Sequence, residues 1–222
     1  GINGKIGAGK DTVGTIIQGL LLTNKNQSSE IKKFAGKLKQ IASILTGIPV
    51  EKFEDQEFKT TLLDVEWGTV QNVPLNSIPP FADMQFNVMM SVREFLQKLG
   101  TEAMREGLHV NTWVNALFAD YKAKWVPTGN AIEEDEVSLE KEYPNWIITD
   151  MRFPNEMEAV EKRHGITIRV TRPAEKGKNT AKLHPSETSL DKAKFDYEII
   201  NDGTMEELVK KVREILVNEE LI

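Results

Sequence analysis

The last third of the chain alternates short apolar runs with amphipathic helical patterns, and this alternation constrains the fold more than any other feature. Three runs have the length and composition of buried strands, at residues 146–149, 166–170 and 197–200. Strands that alternate with helices in this way predict an α/β fold with a mostly parallel sheet. We expect one domain over residues 1–222, built on a single core with inserted lid regions.

Apolar residues at helical spacing predict most of the remaining structure. The helices predicted before the last third cover residues 10–21, 35–46, 92–105 and 112–124. Asn155 is predicted to cap the helix after the first of the three strands, and Thr204 with Glu207 forms a capping box for the final helix. Residues 30–34 are predicted to form a strand, whereas the acidic run 129–142 is predicted to be a solvated loop.

A glycine-rich segment at residues 4–12, Gly-Lys-Ile-Gly-Ala-Gly-Lys-Asp-Thr, opens directly into the first predicted helix. Its Gly4, Gly9 and Lys10 match the G-x-x-x-x-G-K pattern of phosphate-binding loops. Glycines allow backbone N–H groups to wrap a phosphate, and the helix N-terminus and the lysine add positive charge. A glycine-rich turn without a ligand is the alternative. Because only three residues precede the segment, we expect that the strand feeding it is truncated and that the natural start lies upstream of Gly1.

The residue after the loop lysine departs from that pattern. Asp11 stands where a serine or threonine hydroxyl normally ligates Mg²⁺. A carboxylate can hold the ion directly or through water, and Thr12 lies next to it. The sequence therefore predicts a magnesium site whose ligand geometry differs from that of the usual loop.

Composition and charge exclude several classes of protein. With no cysteine, the chain has no disulfide, thiolate zinc site or cysteine nucleophile, and its three histidines are scattered. No segment approaches the ~20 consecutive apolar residues of a membrane span. The 34 acidic and 28 basic residues give a net charge of −6, which argues against binding to polymeric nucleic acid. We expect a cytoplasmic protein with no membrane partner.

A second candidate site follows the predicted strand at 146–149. Asp150 ends this strand and Arg152 comes two residues later, at the sheet edge where α/β proteins bind ligands. Asp150 is suited to a Mg²⁺-bound water, and the planar guanidinium of Arg152 is suited to a phosphate. Alternatively, Arg152 could pair with Glu156 at i, i+4 and only stabilise the start of the helix.

Six segments, in order over nearly the whole chain, resemble the deoxynucleoside monophosphate kinases of bacteria and their phages. These segments are GKIGAGKDT (4–12), FAGKLK (34–39), REFLQKLGTEAMR (93–105) with Trp113, TDMRFPNE (149–156), HPSE (184–187) and INDGTMEEL (200–208). The resemblance implies a three-layer P-loop kinase fold, with residues 51–113 as the monophosphate-binding region and 172–194 as a basic lid. It implies transfer of the γ-phosphoryl group of ATP to a deoxynucleoside monophosphate, with Mg²⁺ and no other cofactor.

The resemblance also implies a role for individual residues. Phosphoryl transfer is assigned to Lys10, Asp150, Arg152 and Arg172. ATP binding is assigned to Gly4, Lys5, Gly7, Ala8, Gly9, Lys10, Asp11, Thr12 and Asn201. The monophosphate side is assigned to Lys39, Arg93, Gln97, Arg105, Trp113 and Glu156. Mg²⁺ is assigned to Asp11, Thr12 and Asp150.

Two other functions stay open at this level, a dephospho-coenzyme A kinase of the same fold and a nucleotide-binding protein without catalysis. The 93–105 and 149–156 segments favour the nucleotide kinase, and a non-catalytic role would leave the basic 172–194 segment unexplained. The sequence does not indicate which base is accepted. The oligomeric state also stays open, because Met84, Met89 and Met90 could pack internally or form a homodimer interface.

Overall fold

A computed structural model describes residues 1–72, 85–127, 139–173 and 185–222. Its strands are β1 (Ile2–Asn3), β2 (Glu30–Lys32), β3 (Thr69–Asn72), β4 (Gln85–Val88), β5 (Lys124–Pro127), β6 (Leu139–Glu142), β7 (Trp146–Ile148), β8 (Ile168–Thr171) and β9 (Tyr197–Ile200). Its α-helices are α1 (Lys10–Lys25), α2 (Ala35–Thr46), α3 (Val92–Gln97), α4 (Thr112–Phe118), α5 (Pro154–Glu161), α6 (Pro185–Thr188) and α7 (Met205–Asn218).

The chain divides into two compact units. The first combines residues 1–34 with 113–222, and the second covers residues 35–112. The prediction of a single domain with the subdivisions 51–113 and 172–194 stays a prediction. Of the residues singled out from the sequence, Met84 and His184 lie outside the described residues, as do 129–138 and 174–184.

Parallel strand pairs organise the first unit. Strands β1, β8 and β9 form a sheet in the order β1-β8-β9, in which Ile168 is aligned with Ile2 on one side and with Tyr197 on the other. Strands β2 and β7 pair in parallel with Ile31 opposite Ile147. Since helices alternate with these strands, the prediction of an α/β fold with mostly parallel sheets is confirmed.

The core of the first unit lies between the sheet and two helices. Strand residues such as Ile2, Val170 and Ile199 pack with Val13 of α1 and Val212 of α7, and each of these five side chains is at most 2% exposed. The buried residues of α7, Leu208, Val212, Ile215 and Leu216, form the face of the helix that packs in this core. Glu207 and Thr204 form the predicted capping box, with Thr204 N donating to Glu207 Oε2 at 2.8 Å and Glu207 N to Thr204 Oγ1 at 3.3 Å.

The start of α5 differs from the prediction. Asn155 is not its cap, because the helix begins at Pro154 with Phe153 as the N-cap residue. Proline fits the first helical position because it has no N–H to satisfy and its φ is already helical. The buried carboxylate of Glu156 then accepts hydrogen bonds from the N–H groups of Arg152 and Phe153 at 2.7 and 3.1 Å. A glutamate at the third helical position thereby replaces an asparagine cap.

Two further predictions fail around residues 112–142. The helix predicted over 112–124 ends at Phe118, and residues 124–127 form strand β5. Residues 139–142, predicted as loop, form strand β6 and pair antiparallel with β5. All four β6 residues are exposed, so the strand has no apolar periodicity and is specified by its partner strand.

The second unit is built from α2, three short 3₁₀ helices between residues 50 and 67, the antiparallel pair β3–β4, and α3. The helix predicted over 92–105 is present, but after Gln97 it continues as a π-helix over Lys98–Glu106. Ala42, Phe53 and Val92 are fully buried at the centre of this unit. None of the helices in the described ranges combines the length and apolar character needed to cross a membrane.

Candidate active site

The glycine-rich loop connects β1 to α1, and its glycines are required by its geometry. Gly7 and Gly9 have φ angles of 79° and 98°, a backbone region that favours glycine. A Cβ atom at Gly4 would lie 2.7 Å from the carbonyl oxygen of Val170, and one at Gly9 would lie 2.5 Å from Nδ2 of Asn201. The loop therefore packs directly against the ends of β8 and β9.

Asn201 and Arg172 support this loop from the neighbouring strand ends. Asn201, 7% exposed, donates a hydrogen bond from Nδ2 to the carbonyl oxygen of Ala8 at 2.9 Å. Arg172 donates from Nη1 to the carbonyl of Gly7 at 3.5 Å and from Nε to the carbonyl of Asn201 at 3.4 Å. The structure thus brings together the predicted loop residues, Arg172 and Asn201.

A cavity of about 370 Å³ lies beside the loop. It is lined by Gly7, Gly9, Lys10, Asp11, Thr12, Arg172, Asn201, Gly203, Thr204, Met205 and Leu208. One wall consists of the loop and the first turn of α1, and the other of the turn before α7 and its first residues. Six of the nine predicted ATP-binding residues, from both ends of the chain, therefore share one cavity, whereas Gly4, Lys5 and Ala8 do not line it.

Lys10 is within electrostatic reach of both Asp150 and Arg152. Partial burial lowers the pKa of Lys10, the charge of Arg152 lowers it further, and nearby carboxylates oppose this effect. Asp150, 8% exposed, accepts a hydrogen bond at Oδ1 from the N–H of Phe34 at 2.7 Å. Asn3 at the end of β1 donates from Nδ2 to the carbonyl oxygen of Met151 at 2.8 Å. Three of the four residues predicted to take part in phosphoryl transfer therefore lie on segments that leave the carboxyl ends of β1 and β7.

Asp11 is held by two residues that the sequence alone did not single out. Thr149, completely buried, donates from Oγ1 to Asp11 Oδ1 at 2.8 Å, and Lys33 Nζ lies 3.4 Å from the same oxygen. Partial burial opposes ionisation of Asp11, but the hydrogen bond from Thr149 and the charges of Lys33 and Lys10 hold its pKa below the usual value. Thr149 opens the TDMRFPNE segment and immediately precedes Asp150, and these were the signals in the sequence that could have indicated it.

The oxygen donors predicted for Mg²⁺ fit one kind of site. Across the described ranges, no group of three or more His, Cys, Asp or Glu side chains is arranged to hold a metal ion. Mg²⁺ usually keeps several waters and binds through one or two carboxylates and substrate phosphates. The carboxylates of Asp11 and Asp150 and the hydroxyl of Thr12 therefore suit an ion that arrives with a nucleotide.

Arg152 has a different partner from the one considered from the sequence. Its guanidinium forms an ion pair through Nη1 with Glu187 of α6. Glu156, 3% exposed, accepts a hydrogen bond from the backbone N–H of Arg152 instead of from its side chain. The two carboxylates thus hold Arg152 at its backbone and at its side chain.

The residues predicted for the monophosphate side are divided between the two units. Lys39, 8% exposed, pairs with Glu54 at 2.5 Å, and Arg105, also 8% exposed, donates to the carbonyl of Val110 at 3.3 Å. On α3, Arg93 donates to Gln56 Oε1 at 3.3 Å, and Gln97 lies one turn further along. These residues belong to the second unit, whereas Trp113 and Glu156 belong to the first.

The fold and the site define an α/β protein with a glycine-rich loop, a helix N-terminus and cationic side chains at the carboxyl ends of parallel strands. This arrangement is suited to binding phosphate groups. The family model described as "Deoxynucleotide monophosphate kinase" matches residues 50–212. Since this match covers more than half of the chain, the chain belongs to the deoxynucleotide monophosphate kinase family. The family resemblance predicted from the six sequence segments is confirmed.

Several named relatives come from bacteriophages. The chain is 30% identical to the deoxynucleotide monophosphate kinase of Enterobacteria phage T4 over 57% of its length and 45% of that protein. It is 26% identical to the deoxynucleoside-5'-monophosphate kinase of Escherichia phage T5 over 90% of its length and 88% of that protein. It is 28% identical to the deoxynucleotide monophosphate kinase of Escherichia phage RB69 over 59% of its length and 46% of that protein. The chain therefore spans less than half of the T4 and RB69 relatives and most of the T5 relative.

Proposed function

We propose that this chain transfers the γ-phosphoryl group of ATP to a deoxynucleoside monophosphate. A non-bridging oxygen of the acceptor phosphate attacks the γ-phosphorus, and the bond from that phosphorus to the β–γ bridging oxygen breaks. The products are a deoxynucleoside diphosphate and ADP. Family membership supports the reaction class, and the convergence of Lys10, Arg152 and Asp150 beside the glycine-rich loop is the observation that carries the proposal.

The glycine-rich loop acts as a P-loop in this proposal. The backbone N–H groups from Gly4 to Gly9 and the ammonium of Lys10 bind the ATP phosphates, while the cavity beside Asn201 and Met205 takes the nucleoside. The left-handed conformations of Gly7 and Gly9 support this role, because they let the backbone curve around a phosphate.

Asp11, Thr12 and Asp150 would hold a nucleotide-associated Mg²⁺, which supplies positive charge to the phosphates when bound. Thr149 and Lys33 keep Asp11 ionised and restrict its orientation. Phe34 restricts Asp150 in the same way through its backbone N–H. This chain therefore supplies two oriented carboxylates on the same side as Lys10.

Arginine side chains complete the charge balance. Phosphoryl transfer between two phosphates concentrates negative charge, and its catalysis depends mainly on positioning and electrostatic stabilisation. Arg152 and Arg172 are assigned to the space between donor and acceptor phosphates. The acceptor is assigned to Lys39, Arg93, Gln97, Arg105, Trp113 and Glu156. A cytoplasmic location, a homodimer, and the absence of nucleic-acid and membrane partners stay predictions from the sequence.

A coupled assay with ATP and a panel of acceptors tests the proposal. The panel contains the four common deoxynucleoside monophosphates and dephospho-coenzyme A, and product formation is followed with and without Mg²⁺. We expect Mg²⁺-dependent turnover with at least one deoxynucleotide. Lys10→Ala is expected to lower kcat at least ~100-fold, because it removes a charge that stabilises the transferring group. Turnover only with dephospho-coenzyme A, or nucleotide binding with no turnover, would contradict the proposal.

A further inference from the structure

The guanidinium of Arg152 is only partly used by its contacts within the protein. It carries five N–H donors in a rigid planar fork. Among the described residues its hydrogen-bonding partner is Glu187, through Nη1. Within the described ranges, Nε and Nη2 have no protein acceptor, so these donors could bind an anion. The backbone of Arg152 is held separately by Glu156.

The residues that follow Glu187 are anchored to the rest of the first unit, and this restricts the position of Glu187. Arg169 of β8 donates hydrogen bonds to the carbonyl oxygens of Leu190 and Asp191, and its guanidinium carbon lies 4.3 Å from the ring centre of Phe195. Lys5 of the glycine-rich loop pairs with the carboxylate of Asp191 at 3.3 Å. The segment after Glu187 is thereby tied to both the sheet and the loop, so that a carboxylate is presented to Arg152 from a fixed position.

Two cations whose charges act on each other are stabilised by a nearby negative charge. Lys10 and Arg152 repel each other, and Glu187 opposes this repulsion in the absence of phosphates. The Glu187 side chain is 14% exposed, compared with 33% for that of Arg152. Because a partly buried carboxylate is costly without a partner, Glu187 favours the arrangement in which the guanidinium stays against it.

We propose that Glu187 is a positioning residue for phosphoryl transfer: it holds the guanidinium of Arg152 beside Lys10 and leaves Nε and Nη2 to bind the transferring group. This inference rests on the proposed kinase function. Glu187 does not touch the reacting atoms in this scheme. It acts through Arg152 and reduces the loss of side-chain freedom when the phosphates bind.

A double-mutant cycle tests this role. Steady-state kinetics are measured for wild type, Glu187→Gln, Glu187→Asp, Arg152→Ala and Arg152→Ala with Glu187→Gln. We expect Glu187→Gln to lower kcat by about 10- to 100-fold, because a misplaced catalytic group costs rate, with a smaller change in the KM for ATP. Glu187→Asp keeps the charge and should recover part of kcat. In the Arg152→Ala background, Glu187→Gln should have little further effect.

The matched control is Glu158→Gln, which removes a carboxylate from an exposed ion pair with Lys162 at 2.7 Å on α5. It should keep the wild-type kcat, and thermal melts should show that every variant is folded. An unchanged kcat in Glu187→Gln, or an equal loss with and without Arg152, would overturn the inference. A wild-type protein that phosphorylates no deoxynucleotide would instead overturn the proposed function.

Discussion

The side-chain nitrogen Nδ2 of Asn201 donates a hydrogen bond to the carbonyl oxygen of Ala8, 193 positions earlier in the chain, at 2.9 Å. This contact ties the turn after β9 to the glycine-rich loop. It also explains why residue 9 is a glycine, since a Cβ atom there would collide with the same amide nitrogen. The shape of the loop therefore depends on a residue close to the other end of the sequence.

Replacing Asn201 should weaken both the fold and ATP binding. Asn201→Ala leaves the Ala8 carbonyl without its donor in a buried position, which costs about 1–3 kcal/mol in the free energy of unfolding. The loop also loses its support, so the KM for ATP should rise more than the KM for the monophosphate. Denaturant unfolding and steady-state kinetics measure the two effects. Asn145→Ala is the control, because its side chain bonds to the Ser28 carbonyl away from the loop. Equal KM values for Asn201→Ala and wild type would contradict a role in nucleotide binding.

The rate should fall at alkaline pH because of Lys10. Burial lowers the pKa of its ammonium below the ordinary value, and the charge of Arg152 lowers it further. The carboxylates of Asp11, Glu187 and Asp150 act in the opposite direction and raise the pKa of Lys10. Only the protonated form carries the charge that binds phosphate. Activity should therefore be complete below this lowered pKa and be lost as the pH rises through it.

The alkaline limb of the pH profile of kcat/KM reports this pKa in the free enzyme. Arg152→Gln removes the neighbouring positive charge, so the limb should move to higher pH even though the rate is lower. Asp11→Asn removes an opposing negative charge, so the limb should move to lower pH. A limb at the same pH in all three proteins would show that another group controls it.

Asp11 should control the Mg²⁺ requirement. Asp11→Asn should lower activity and raise the Mg²⁺ concentration needed for half-maximal rate, because an amide is a weaker ligand than a carboxylate. Asp11→Ser should retain more activity, since a hydroxyl restores the ligand of the usual loop. Thr149→Val removes the hydrogen bond to Asp11 and should produce a smaller change in the same direction. These expectations are tested by measuring the rate as a function of Mg²⁺ concentration for wild type and each variant. Identical curves would mean that Asp11 only stabilises the start of α1.

Arg152 should be sensitive to a substitution that keeps its charge. Lysine lacks the planar fork, so Arg152→Lys should lower kcat by roughly 10- to 1000-fold with a smaller change in the KM for ATP. Because Glu187 can still pair with an ammonium, the melting temperature should change little. A lowered melting temperature with an intact kcat would show that Arg152 has only a structural role.

Many elements of the fold were predictable from local pattern. Helix α2 has the predicted bounds, and the predicted strands at 146–149, 166–170 and 197–200 are present within about two residues of the expected bounds. These patterns depend on residues at most four positions apart, where burial and periodicity are coupled directly. Strand β6 was missed because an exposed strand has no such periodicity, and its pairing with β5 is a distant contact.

Residue types and motif order were enough to identify the family and to select Lys10, Asp150, Arg152 and Asn201 as candidates. The partners of these residues were decided only by the tertiary structure. Thr149 reaches Asp11 across 138 positions and Glu187 reaches Arg152 across 35, separations at which no periodicity relates one side chain to another. The sequence by itself determines which groups can carry charge. The parallel packing of the strands decides which of them meet, because it brings the carboxyl ends of distant segments together.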